Sequence, residues 1–221
     1  MKKKNILLAL GVLTLVTGCN SNEKDTIKDV VQIKYDGNEL VYKCSEEEIS
    51  NLKKSVKVIV KENQIFAVVD SNKENKTYQA GKHELKGNSN AEKCYFIDNT
   101  PITNNQYGTQ APIKKSTQEY GIISISVYGN FTYRIKDAVK FSEIYNGEDI
   151  HLTALRTYLI NHYTTHVAQT NYNDIILETK MSQDILNDVN KDIEKYGLEI
   201  TESIIEGFEV KTNSGEIIYK K

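Results

Sequence analysis

Of the three cysteines in this chain, Cys19 stands in the sequence context that most clearly indicates covalent chemistry. It follows three lysines at positions 2–4, an apolar stretch from Ile6 to Val16, and two small residues. A cationic start, a short apolar segment and a small-residue cleavage site are typical of a secretory signal peptide. The apolar stretch is too short to span a bilayer, which takes roughly 20 apolar residues. Residues 1–18 are therefore predicted to be a signal peptide.

The four residues Val16-Thr17-Gly18-Cys19 resemble the bacterial lipobox. That resemblance implies acylation of the Cys19 thiol, cleavage before it, and a mature chain that starts at a lipidated cysteine. Each buried methylene contributes roughly 0.8 kcal/mol, so two or more acyl chains hold a protein at a membrane where one does not. We therefore expect a lipid anchor on the extracytoplasmic face of the cell membrane, with residues 19–29 as the lipidated cysteine and a polar tether. The alternative is an ordinary signal peptide followed by a chance cysteine.

Cys44 and Cys94 are the remaining thiols, and in an exported protein such a pair is a candidate disulfide. Bridging needs Cα atoms within roughly 7 Å of each other, and the spacing in sequence does not decide this. The alternative is two partly buried strand cysteines that stay free. Two cysteines without a neighbouring CxxC partner cannot form a four-cysteine zinc site.

His162 and His166 share one face of a predicted helix because they are four residues apart. Such a pair can hold a metal, but the stretch His162-Tyr163-Thr164-Thr165-His166 lacks the glutamate of the HExxH motif. No third ligand is close in sequence, and His83 and His151 are isolated. A packed or solvated helix face is the favoured interpretation, so we expect no metal and no cofactor.

Carboxylates cluster at Glu46–Glu48 and at Asp184, Asp188 and Asp192. Paired carboxylates can do acid–base work, and the aspartates, at helical spacing, repel one another unless a cation or basic partner relieves them. Solvated faces are the simpler explanation for both clusters. The sequence also lacks a G-x-S-x-G, P-loop, G-x-G-x-x-G or cysteine–histidine nucleophile pattern. These observations predict a protein that is not an enzyme.

The charge balance argues against a nucleic-acid partner. The whole chain has net charge −2, and residues 1–19 carry three lysines and no acid, so the remainder has net charge −5. Binding to nucleic acid needs a basic footprint that neutralises phosphates. The mature length of about 200 residues suits one large or two small domains.

Elements predicted along the chain start with strands and end with helices and a closing strand. Asp36-Gly37-Asn38 predicts a hairpin within residues 30–43, and the runs 56–60 and 65–69 predict a second one. Residues 122–135 form the longest strand candidate, with Gly129 as a bulge or bend. Helices are predicted from Asp149 and over residues 172–196, the second capped by Gly197. A strand then follows from Leu198, and residues 211–221 are a final strand or a tail. This order predicts an α+β fold with segregated elements.

Short motifs follow one another in a characteristic order between Asn38 and Phe141. They lie in six segments, 39–43, 47–49, 58–68, 79–85, 94–99 and 107–113, and in the long run 119–141. Their order resembles the SPFH (Band 7) superfamily of stomatins, prohibitins and flotillins. Within that superfamily, the sequence most resembles the bacterial virion core protein-like SPFH proteins. The predicted helices and Tyr196-Gly197-Leu198-Glu199-Ile200-Thr201 continue the resemblance.

The resemblance implies an SPFH-like domain over residues 30–210 that assembles side by side and organises proteins or lipids at a membrane. We therefore expect a non-enzymatic scaffold that forms homo-oligomers, with other envelope proteins as further candidate partners. Exposed strand edges and the helix pair are the expected sites of lateral contact. The alternative is a monomeric lipoprotein that binds a peptide, lipid or envelope component in a concave pocket.

Overall fold

The computed structural model of the chain describes residues 31–72, 74–145 and 150–221. Twelve strands lie in the described residues: β1 Gln32–Lys34, β2 Val41–Lys43, β3 Val56–Val60, β4 Gln64–Asp70, β5 Lys76–Tyr78, β6 Gly81–Leu85, β7 Ala91–Asp98, β8 Ile102–Gly108, β9 Ile113–Thr117, β10 Gly121–Ile135, β11 Leu198–Thr212 and β12 Ile217–Lys220. The helices described are α1 Glu46–Leu52, α2 Ala138–Ile144, α3 Ile150–Gln169, α4 Tyr172–Ile175 and α5 Gln183–Ile193, and a 3-10 turn follows at Glu194–Tyr196. The α+β class predicted from the sequence is confirmed.

The strands form three sheets, and nearly all neighbours are antiparallel. A three-stranded sheet has the order β1-β3-β6, with β1 and β3 parallel, and a four-stranded sheet has the order β2-β7-β4-β5. The five-stranded sheet has the order β12-β11-β10-β8, with β9 also paired to β10. Strands β10 and β11 are 15 residues each and pair along almost their whole length.

The four-stranded sheet separates two hydrophobic cores, because its central strands β4 and β7 are buried on both faces. Ile65 and Ala67 of β4 face what we call the large core, which also takes buried side chains from β7–β11 and from α2–α5. Phe66 and Val68, which alternate with them, face the small core. The small core consists of Ile33, Cys44, Leu52, Val56, Val58, Val60, Phe66, Val68, Ala91, Cys94 and Phe96.

The two predicted hairpins are wrong, although the strands in them exist. Strand β1 pairs with β3 and strand β2 with β7, so the two arms of the first expected hairpin belong to different sheets. Likewise β3 pairs with β1 and β6, whereas β4 pairs with β7 and β5. The turn between β3 and β4 does form, with the Gln64 N–H donating to the Lys61 carbonyl at 3.0 Å. The chain uses this turn to cross from one layer to the next.

The single helix predicted over residues 172–196 is also wrong, because it is interrupted between α4 and α5. In the interruption, the backbone turns to the five-stranded sheet: the Met181 N–H donates to the Ser203 carbonyl at 3.0 Å, and the Ile205 N–H donates to the Thr179 carbonyl at 2.9 Å. Helix α5 then starts afresh with Ser182 as its N-cap. Hydrogen bonds to β11 thus replace the helical ones that the apolar spacing had predicted.

The two glycines singled out in the sequence do what was predicted of them. At Gly129 the pairing of β10 with β11 shifts register, and a Cβ there would collide with the Ile204 carbonyl of β11. Gly197 ends the 3-10 turn in the left-handed region, with φ 70°, where glycine is favoured. A Cβ at Gly197 would meet the Asp137 carbonyl, which lies just before α2.

Candidate functional site

Cys19 lies outside the described residues, so its predicted acylation stays a prediction. Cys44 and Cys94 are both buried in the small core, and the Cys44 N–H donates to the Cys94 carbonyl at 2.9 Å. Their thiols are in contact and free in this structure. The hydrogen bond with the Cys94 thiol, reinforced by burial, raises the pKa of the Cys44 thiol well above its usual range. A thiol with a raised pKa is a poor nucleophile, so Cys44 is poorly suited to nucleophilic catalysis in the folded domain.

The histidine pair of α3 is divided between two carboxylates. His162 Nε2 lies 2.8 Å from Asp192 Oδ2 on α5, and His166 Nε2 lies 2.6 Å from Glu178 Oε1 in the segment after α4. Within the described residues no group of three or more histidine, cysteine or acidic side chains is placed to hold a metal ion. The shared helix face therefore fastens α3 to its neighbours at two points.

Glu178 was not recognised from the sequence, yet its carboxylate contacts two side chains of α3. Its second carboxylate oxygen accepts a hydrogen bond from the Tyr163 hydroxyl at 2.7 Å. Tyr163 is fully buried in α3, and burial together with the Glu178 carboxylate raises its pKa. No signal in the sequence marks Glu178, because the interruption of the helix brings it to α3.

His151 is buried at the start of α3, where its Nε2 lies 2.9 Å from the Tyr133 hydroxyl of β10. The rings of Phe141 and Tyr145 lie 5.5 and 6.0 Å from the His151 ring, centre to centre. This histidine is therefore a packed residue of the large core. His83, by contrast, is partly exposed on β6, with its Nε2 2.7 Å from the Gln79 carbonyl.

The carboxylate clusters have structural partners. Glu48 completes a capping box at the start of α1, since its Oε2 accepts from the Ser45 N–H at 2.7 Å and the Ser45 hydroxyl accepts from the Glu48 N–H at 3.3 Å. On α5, Lys191 donates to Asp188 at 2.8 Å and so lowers the pKa of that carboxyl. Asp192 is held by His162, as described above, so the aspartate row is partly neutralised from within the domain.

The described surface carries several open clefts, and two of them have volumes above 500 Å³. The first, of about 570 Å³, lies beside α2 and mixes charges of both signs, from Lys136, Lys140, Glu143 and Glu194. The second, of about 540 Å³, lies between the β9–β10 turn and α4, with Tyr120 and Tyr172 as its aromatic lining. Binding pockets for small molecules are mostly apolar and enclose their ligand. These clefts have the volume of such pockets, but both are open to solvent, and their lining is mixed in the first and largely polar in the second.

The two ends of the five-stranded sheet differ in how they are covered. At the β8 end, Arg156 of α3 donates from Nε to the Gln106 carbonyl at 2.8 Å, and thereby occupies an edge acceptor. Strand β9 also pairs with β10, and its Lys115 side chain donates from Nζ to the Val167 carbonyl near the end of α3 at 2.9 Å. At the opposite end, β12 has β11 as its strand partner in the described part of the chain. An uncovered strand offers backbone donors and acceptors for pairing with another chain.

Exposed apolar side chains accompany this uncovered edge. Apart from Ser124, the buried residues of β10 are at odd positions, so the even positions and the residues opposite them lie on the outer face of the sheet. We define the outer patch as Ile122, Tyr128, Ile204 and Ile217, all exposed and all on that face. Ile217, half exposed at 51%, lies on β12 itself. Arg134, Glu199 and Glu209 lie on the same face, which is therefore mixed in character.

Comparison with protein families now places the chain. The family described as SPFH domain–Band 7 matches residues 41–221, and the chain belongs to that family. Proteins of this family commonly associate with membranes and form oligomers, and they generally act as scaffolds rather than enzymes. A comparison with curated proteins finds no match to this chain. Among the helices described here, none is both long enough and apolar enough to cross a bilayer.

Proposed function

We propose that this chain is a lipoprotein of the bacterial cell envelope whose SPFH domain is a non-enzymatic scaffold. In this proposal the lipid on Cys19 holds the domain at the extracytoplasmic face of the cell membrane, and copies of the domain assemble side by side. Membership of the SPFH family carries the proposal. The likeness to the virion core protein-like branch, and the export signal before Cys19, belong to the same proposal.

The anchor and the domain have separate tasks in this scheme. Eleven residues separate Cys19 from Val31, the first described residue, and a tether of that length reaches at most about 40 Å when extended. The domain is thus kept close to the membrane surface, where anchored copies meet one another in two dimensions. Confinement of this kind raises the effective concentration, so weak lateral contacts suffice for assembly.

The uncovered β12 edge and the outer patch are the proposed lateral surface. Arg156 of α3 occupies one backbone acceptor of β8 at the other side of the same sheet, and the β12 edge is the proposed accessible end. Edge pairing would add backbone hydrogen bonds, and Ile217 would be removed from water at the contact. Other envelope proteins are candidate partners for the same surface.

Native mass measured by light scattering tests this proposal. Two forms are compared: lipidated protein made with its own leader and kept in detergent, and a soluble form of residues 20–221. A discrete assembly in both forms supports a scaffold whose contacts lie in the domain. Assembly of the lipidated form alone would assign the contacts to the anchor and its surroundings. Monomers in both forms would contradict the proposal and favour the monomeric binding lipoprotein.

A matched pair of variants locates the contact. Ile217→Lys places a charge on the β12 edge, and Ile144→Lys places the same charge on α2, where Ile144 is 43% exposed. We expect Ile217→Lys to reduce the assembly to smaller species and Ile144→Lys to leave its mass unchanged. Equal effects of the two changes would show that β12 is not the contact.

A further inference from the structure

Cys44 and Cys94 are directly opposite each other across two antiparallel strands. The register of β2 with β7 pairs Val41 with Ile97 and Lys43 with Tyr95, and one further step brings Cys44 opposite Cys94. The hydrogen bond from the Cys44 N–H to the Cys94 carbonyl shows that the pairing continues to this step. Residues opposite each other in a hydrogen-bonded pair have Cα atoms about 5.5 Å apart, within the range of about 4.4–6.8 Å that a disulfide requires.

Both side chains also point the same way. Opposite residues of a sheet share a face, and Cys44 and Cys94 both belong to the small core. Cys94 is fully buried and Cys44 is 4% exposed. The two thiols are in hydrogen-bond contact, so joining them requires little movement of the backbone.

We propose that Cys44 and Cys94 form a structural disulfide in the exported protein. The bond would form while the chain folds: the thiolate of one cysteine attacks an oxidised dithiol of a disulfide-exchange partner, giving a mixed disulfide. The second cysteine then displaces the partner as a thiol, so the protein loses two thiols and the partner gains two. The exchange is expected during folding, because both thiols are buried in the native protein and no longer accessible to the partner. The proposal uses the export predicted for the chain and is independent of the scaffold function.

The bond would stabilise the part of the small core that is formed by the shortest elements. Strand β2 has three residues and lies at the end of its sheet, and α1 follows it immediately. The disulfide would tie this segment to the central strand β7 and close a loop of about 50 residues. Cross-links that close loops of this size lower the entropy of the unfolded chain and stabilise the fold.

Peptide mapping of the protein as cells produce it is the direct test. The full chain is expressed with its own leader in a bacterium, extracted from the membrane, and alkylated in denaturant without reductant. The expected result is a linked peptide pair containing Cys44 and Cys94, and mapping after reduction separates the pair. Alkylation of both cysteines in the extracted protein would overturn the proposal.

Refolding gives a second readout that does not depend on the cell. The soluble form, residues 20–221, contains every described residue and is refolded in a glutathione buffer with oxidised and reduced forms. We expect the bond to form, and the oxidised protein to melt roughly 10 °C above the reduced protein. The variant with both Cys44→Ser and Cys94→Ser should melt at the same temperature with and without reductant. A native protein that keeps both thiols after this refolding would contradict the proposal.

Discussion

The large core and the small core share the strands β4 and β7 but are built from elements of different length. The large core rests on β10 and β11, which pair at thirteen positions, and on the 20-residue helix α3. The small core is closed by β1 and β2, of three residues each, and by the seven-residue α1. Short elements bury little surface of their own, so the small core depends on a cap, an aromatic stack and the cysteine pair. The stack places the rings of Tyr35 and Tyr42 4.2 Å apart.

This difference implies that the two cores open separately. Regions with short, solvent-exposed elements open at lower free energy than the strands at the centre of a domain. Strands β4 and β7 are expected to stay folded when the small core opens, since their other face is still covered by the large core. The predictions below test this separation, beginning with the largest expected effect.

Truncating one buried side chain in each core should lower the free energy of unfolding by similar amounts. The two changes should differ in how many strands lose hydrogen-exchange protection. Phe208→Ala removes a fully buried ring of β11 from the large core, at a cost of about 3–5 kcal/mol. Leu52→Ala empties a site in α1 that is 1% exposed, at a cost of about 2–5 kcal/mol. We expect Phe208→Ala to lower hydrogen-exchange protection in all strands, and Leu52→Ala to lower it in α1, β1, β3 and β6. Equal loss of protection in β10 after Leu52→Ala would show that the cores unfold as one.

Alkaline pH offers a second comparison, since each core contains a tyrosine whose pKa is raised to about 12. Burial is the main cause for Tyr107, in the large core. For Tyr42, beside the small core, burial is followed by the carboxylate of Glu48, which accepts its hydroxyl at 3.1 Å. An unfolded tyrosine loses its proton near pH 10, so the folded state is the one that keeps the proton between pH 10 and 12. The stability that these two tyrosines contribute is therefore fully present below pH 10 and is lost as the pH rises towards 12.

The two tyrosines can be told apart by removing the carboxylate. Tyr107→Phe should reduce the alkaline loss of stability by about 2 kcal/mol at pH 12, since Tyr107 is 4% exposed. Glu48→Gln should lower the pKa of Tyr42 and leave that of Tyr107 unchanged, as followed by the ultraviolet absorbance of tyrosinate. A shift of both tyrosines after Glu48→Gln would mean that the charge acts across the central sheet rather than within one core.

The sequence predicts single elements well where their two faces differ. In β10, Ile123, Ile125 and Val127 alternate with serines and Tyr128, and this alternation marks the inner face. The pairing of strands is harder to predict. Strand β4 is buried on both faces, so its sequence has no apolar–polar alternation that would indicate how it packs. The break before α5 was missed for a related reason: Ile175, Ile176 and Met181 fit a helix, and the hydrogen bonds to β11 that displace it are formed by residues distant in sequence.

The candidate site shows the same division. The charge row of α5 and the histidine pair of α3 were recognised as side chains without an obvious catalytic partner, but the link from His162 to Asp192 depends on how two helices pack. Cys44 and Cys94 were recognised as a candidate pair, and their contact depends on the pairing of β2 with β7. That pairing joins residues about 50 positions apart, beyond the reach of any local pattern.

Helix caps give the smallest effect and the finest test of the comparison, because each core has a helix that starts at a serine. Ser45→Ala removes the hydroxyl of the capping box of α1, and Ser182→Ala removes the hydroxyl that accepts from the Ile185 N–H at 3.4 Å in α5. We expect a loss of about 1 kcal/mol for Ser45→Ala and about 0.5 kcal/mol for Ser182→Ala, by denaturant titration. The longer contact, and the 11 residues of α5 packed on β11, make the second helix less dependent on its cap.

The part of the molecule that loses protection after a cap substitution is more informative than the size of the free-energy loss. Seven-residue α1 is too short to be stable on its own, so a weaker cap should release it together with β2 while the large core keeps its protection. Glu48→Gln is the matched control, because glutamine at the third helical position can also bond to the backbone of the cap residue. It should therefore cost less than Ser45→Ala. Equal and global losses from the two serine changes would show that α1 is as firmly held as α5, and would remove the reason for regarding the small core as the part that needs a cross-link.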